Sequence, residues 1–210
     1  MDFANPLVVA LAPLTAGALS FAFIAYLYTR IATFAKGSDI GEPRIDELSA
    51  KIKSGAIAFL TTEYTYLTVF VAALAITLVA LSLLTTDADA LAPAASGGLS
   101  SLFAATLSPS AGWWGMMVAT DGNAKTTAAC AGDRAAGKAG SLNAGLNVAF
   151  TTGAVMGFAV VGLGLTGVAV CYVALSTVFG VDGQAKTMQC LAGFGFGASS
   201  LALGARVAGG

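Results

Sequence analysis

Arg206 has the most unusual setting of any ionisable residue in the chain. Residues 187–205 before it carry no charge, and the chain ends at Gly210. About 20 apolar residues cross a bilayer as a helix, so Arg206 closes a stretch of spanning length. Two chemistries fit it: an anchor that snorkels to the interface, or a cation turned into a helix bundle to pair with carboxylates. Glu63 begins another uncharged stretch, beside Tyr64 and Tyr66. It reads as an interfacial carboxylate within an aromatic belt, with an ion relay as the alternative. Asp39, Glu42, Asp46 and Glu47 could supply oxygen ligands to a divalent cation. They are interleaved with Arg44, Lys51 and Lys53, however, and that mixture reads as a solvated helix face. No histidine is present, which removes the commonest metal ligand and general base. Cys130, Cys171 and Cys190 have no metal-site spacing. Gly162-Leu-Gly164-Leu-Thr-Gly167 matches a dinucleotide-binding pattern in letters only. It follows no strand and has no acidic residue at the right distance, so close helix packing explains it, as it does Gly153/Gly157 and Gly193/Gly197.

The elements that must position these residues are membrane helices. Hydrophobic residues make up 57% of the 210 and charged residues only 10%. A soluble domain carries about 25% charged residues, so most of this surface faces something other than water. A net charge of −1 argues against a nucleic-acid partner. Asp2 in place of a basic start, and a long apolar stretch after it, argue against a secretory signal peptide.

Charge-free intervals predict an all-α, polytopic bundle with five spans, at about 6–29, 58–84, 99–119, 146–175 and 187–207. Pro93 and Ser96-Gly97-Gly98 predict a loop before the third span, and a polar turn is expected after Phe179. Ile40, Ile45, Leu48 and Ile52 predict an amphipathic helix along the membrane surface that leads into the second span. It serves as a packed linker or a partner-binding element. Arg30, Lys36, Arg44, Lys51, Lys53, Lys125, Arg134 and Lys138 fall in the loops of one side. Lys186 lies on the other, with Asp87 and Asp89. The positive-inside bias places the N-terminus outside and the C-terminus inside.

Four stretches carry a family resemblance. Ser54-Gly-Ala-Ile-Ala-Phe-Leu-Thr-Thr-Glu63-Tyr-Thr-Tyr-Leu resembles the entry to the second helix of membrane-integral, ion-pumping inorganic pyrophosphatases. Gly115-Met-Met-Val-Ala-Thr120-Asp-Gly-Asn123-Ala-Lys-Thr126 resembles the exit of the third. Leu146-Asn-Val-Ala-Phe150 with Gly153-Ala-Val-Met-Gly157 resembles the fourth, and Gly193-Phe-Gly-Phe-Gly-Ala-Ser-Ser200 through Arg206 the fifth. The matches run in family order from residue 54 to the end of the chain.

The resemblance implies a homodimeric enzyme of roughly sixteen helices. It implies hydrolysis of pyrophosphate with Mg2+ and pumping of protons or sodium across a vacuolar, acidocalcisomal or plasma membrane. It covers only the N-terminal third of the family, so an incomplete sequence is expected, with the catalytic loops and magnesium ligands outside it and no hydrolysis by these 210 residues alone. Arg206 matches the arginine of the family's ion gate. Gln189 is the second gate-region position, where some proton-pumping members carry an acid. Ala208 stands where glycine is common. The alternative is a complete five-helix, non-enzymatic membrane protein that associates with a partner through Gly-rich helix faces.

Overall fold

The computed structural model describes residues 5–84, 91–133, 137, 139–180 and 183–209. Five long helices lie at the five places expected: α1 (Pro6–Ala32), α2 (Pro43–Leu84), α3 (Leu91–Ala131), α4 (Leu142–Phe179) and α5 (Gln184–Gly209). No strand occurs among the described residues.

The helix ends follow local chemistry. Asn5 caps α1, its side chain accepting the Leu7 N–H at 3.1 Å, and Pro6 takes the first helical position, where a missing N–H costs nothing. Ser141 does the same for α4 through the Ala144 N–H at 3.4 Å. Gly132 (φ 73°) and Gly180 (φ 68°) follow the last residues of α3 and α4 in the left-handed conformation that ends a helix.

Three expectations are corrected. Pro93 and Gly97-Gly98 are not a loop: α3 begins at Leu91, which puts Pro93 in its first turn, where proline is tolerated. Lys125 is not in a loop either, since α3 continues to Ala131, and Cys130 lies in its last turn. The surface helix is not a separate element. Residues 43–84 form one uninterrupted helix, preceded by a 3-10 turn at Ser38–Ile40. Of the proposed apolar stripe, Ile40 is buried while Leu48 and Ile52 are exposed. Asp87, Asp89, Arg134 and Lys138 lie outside the described residues.

Among those described, α1, α4 and the Pro43–Thr77 part of α2 are long and apolar enough to cross a membrane. Glycine, alanine and serine make α3 and α5 less apolar per residue. The packing is of the kind lipid permits. Large side chains such as Leu19, Tyr66, Ile76 and Phe150 point outward, and the largest fully buried ones are Thr187 and Ser101. In lipid, large apolar groups gain little by turning inward, and small residues let backbones approach.

The chain divides into two compact units. One comprises residues 20–61 and 111–161, with a core of Leu27, Ile31, Val118 and Val155. The other comprises residues 1–19, 62–110 and 162–210. It holds two clusters, Leu67–Val71–Ala105 and Ala104–Cys171–Phe194.

Candidate functional site

Gln189 and Arg206, the two positions expected at a gate, both lie on α5, whose placement rests on glycine. A Cβ at Gly193 would strike the Gly97 carbonyl oxygen of α3, and one at Gly197 the Ser101 carbonyl oxygen. These pairs advance together along both helices, so α3 and α5 run parallel with their backbones in contact. Cys190 and Phe194 fill the seam beside them, and the Phe194 ring lies 6.4 Å from that of Phe103. Only glycine permits this approach, which makes Gly193/Gly197 the small-residue pair the sequence suggested. Gly153 and Gly157 do not act this way, because a Cβ at either would meet open space. The glycines of the dinucleotide-like pattern lie within α4, where a Cβ at Gly167 would meet Leu107 and Phe194.

Arg206 stands nine residues beyond Gly197 on α5, about 13–14 Å along the axis. Its side chain lies outside the described residues. Gln189 is exposed.

The buried ionisable groups are elsewhere. Lys125 is 5% exposed; its Nζ donates to the Ile31 carbonyl at 2.9 Å and pairs with Asp121 Oδ2 at 3.2 Å. The cation therefore sits against the last turn of α1, where unsatisfied carbonyls concentrate negative potential. Sequence reasoning missed it, having placed Lys125 in a loop. The Asp121/Lys125 spacing of four residues on a helix was the signal that could have found it.

Glu63 is buried within the protein. It is 9% exposed, and its Oε1 has no hydrogen-bond partner among the described residues. It falls on the buried stripe of α2 with Leu60, Leu67, Val71 and Ala75. The neighbouring Tyr64 hydroxyl donates instead to the Pro109 carbonyl at 2.9 Å. Ser101 and Thr166 likewise hold buried hydroxyls without a hydrogen-bond partner. In an apolar bundle, unpaired polar atoms are costly and mark positions held for function or for close packing.

The acidic loop cluster is not merely solvated. Asp46 accepts the N–H groups of Gly37 (3.0 Å) and Ser38 (2.8 Å), and Asp39 accepts that of Lys36 (2.8 Å). Glu47 pairs with Lys51 at 3.0 Å on the exposed side of the helix. Among the described residues no three His, Cys, Asp or Glu side chains converge. The three cysteines are free thiols.

Residues 18–210 match the family described as inorganic H+ pyrophosphatase. The chain belongs to the inorganic H+ pyrophosphatase family. It is 35% identical over 202 residues to the K(+)-insensitive pyrophosphate-energized proton pump of Methanosarcina mazei, an alignment covering 95% of this chain and 25% of the relative. It is 38% identical over 193 residues to a Clostridium tetani protein named "Putative K(+)-stimulated pyrophosphate-energized sodium pump", covering 92% and 24%. A proton pump of Moorella thermoacetica is 37% identical over 173 residues, covering 82% of this chain and 22% of the relative. The chain thus spans about a quarter of the length of these relatives. No solved structure matches it.

Proposed function

We propose that this chain is part of a membrane-bound inorganic pyrophosphatase that couples pyrophosphate hydrolysis to proton or sodium translocation. Family membership across residues 18–210 carries the reading, and the long apolar helices with small-residue packing support it. In this reading α1 to α5 all span the membrane, with the N-terminus outside and the C-terminus inside, and two copies of the complete enzyme associate. Magnesium and pyrophosphate bind groups that the described residues do not supply, and these 210 residues hydrolyse nothing alone. Relatives named for proton and for sodium pumping both match, so the choice of ion belongs to residues other than those shared here.

For the gate, α5 is a rigid post locked to α3 by Gly193 and Gly197, and Arg206 at its end faces carboxylates of further helices. Gln189 lies on the same post without a charge of its own. The complete five-helix partner protein gains no support from any observation.

The test uses the protein in its own membranes. An antibody to the loop at residues 33–42 recovers detergent-solubilised material, which is assayed for magnesium-dependent phosphate release from pyrophosphate. The expected result is hydrolytic activity in the recovered fraction. Recovery of the intact chain without activity, while the depleted membranes keep theirs, would overturn the proposal.

A further inference from the structure

A cavity of about 250 Å³ lies within the unit formed by residues 20–61 and 111–161. Buried Ile31 and Val118 form its apolar floor, and Trp113 and Trp114 line it. Tyr28, Lys53 and Asp121 complete the polar part of the lining. Its volume equals roughly eight waters at about 30 Å³ each, enough for a small polar headgroup and too little for a whole lipid.

Its charges are uneven. Asp121 is already compensated by Lys125 at 3.2 Å. Lys53 has no carboxylate partner among the described residues, so the cavity presents one uncommitted cation. Trp114 and Tyr28 are 65% and 57% exposed, amphipathic rings held outward beside membrane-spanning helices. Tryptophan and tyrosine concentrate at the depth of lipid head groups. One turn after Lys53 on the same face of α2, Ile57 is an exposed apolar side chain beside the cation.

We propose that this cavity is a binding site for the phosphate-bearing headgroup of an anionic phospholipid. Lys53 holds the phosphate, the rings of Tyr28 and Trp114 flank the headgroup, and the acyl chains stay outside along the apolar surface that includes Ile57. With Asp121 held by Lys125, Lys53 is the uncommitted charge of the lining and selects anionic over zwitterionic lipid, whose second cation would find no free carboxylate there. The site stands apart from the pyrophosphatase reading, because lipid binding is measured without hydrolysis.

The test is native mass spectrometry of the intact protein purified in detergent and titrated with phosphatidylglycerol or phosphatidylcholine. The expected result is preferential retention of phosphatidylglycerol, weakened about tenfold in Lys53→Gln through loss of a charge-assisted contact. Lys53→Arg retains binding, and Lys51→Gln, whose charge is paired with Glu47, leaves it unchanged. Helicity by circular dichroism verifies that each variant is folded. Undiminished binding in folded Lys53→Gln, or equal retention of phosphatidylcholine, would overturn the proposal. So would displacement of the lipid by equimolar inorganic phosphate or pyrophosphate, which would mark a site for free anions.

Discussion

Replacing Lys125 with methionine removes a buried cation while keeping most of its aliphatic volume. Two contacts are lost: the 2.9 Å donation to the Ile31 carbonyl and the 3.2 Å pair with Asp121. The second contributes less, because the Asp121 side chain is 50% exposed and water screens its half of the pair, although Lys125 itself is buried. The first dominates, since a hydrogen bond from a charged donor is worth about 1.5–3 kcal/mol. Its proximity to the end of α1 is part of that same interaction and is not added again. The Ile31 carbonyl is not orphaned by the change, because the Phe34 N–H also reaches it at 3.2 Å. That retained bond rules out the larger penalty of a stranded buried acceptor. For a cooperative unit of about 200 residues, about 1.5–3 kcal/mol corresponds to an apparent melting midpoint lowered by roughly 3–12 °C. The assay is a thermal scan of the purified protein in detergent at one fixed scan rate, because membrane proteins often unfold irreversibly. Lys125→Arg should fall between wild type and methionine, and Asp121→Asn should shift the midpoint by much less. A Lys125→Met midpoint at or above wild type, or an equal loss in Asp121→Asn, would refute the assignment of the energy to the α1 carbonyl.

Three further outcomes are expected. Gly197→Ala should lower the midpoint, because its Cβ meets the Ser101 carbonyl oxygen, whereas Gly153→Ala, facing open space, should be neutral or gain up to about 1 kcal/mol of helix propensity. Equal effects in the same thermal scan would show that the α3–α5 seam is not tight. Glu63→Gln should leave the midpoint unchanged or raise it, since the buried Oε1 has no hydrogen bond to lose; a large drop would reveal a partner. Under the proposed pumping function, with Arg206 pairing bidentately with a carboxylate, Arg206→Lys should impair coupling between hydrolysis and ion uptake in vesicles, because lysine cannot reproduce such pairing. Wild-type coupling in that variant would reduce Arg206 to an anchor.

By itself the sequence determined the class of protein and the five long helices found among the described residues. Long charge-free intervals leave few options for backbone polar groups other than helices, and the four motif stretches pointed to the family later matched over residues 18–210. The helix ends were less legible. Uniform apolarity erases the 3.6-residue rhythm, so α3 and α4 extend past their predicted limits, to caps at Gly132 and Ser141. Which glycines matter was a tertiary decision. Gly153/Gly157 and Gly193/Gly197 share one spacing, but only the second pair faces a neighbouring backbone. Burial of charge was tertiary too. Lys125 and Glu63 looked like a loop cation and an interfacial acid, yet both are buried, one paired and one without a hydrogen bond at its buried oxygen. The physical reason is that hydropathy along a chain reports how much a segment avoids water. It does not report which face of the helix meets another helix, and the cost of a buried charge depends on that face and on the partner found there.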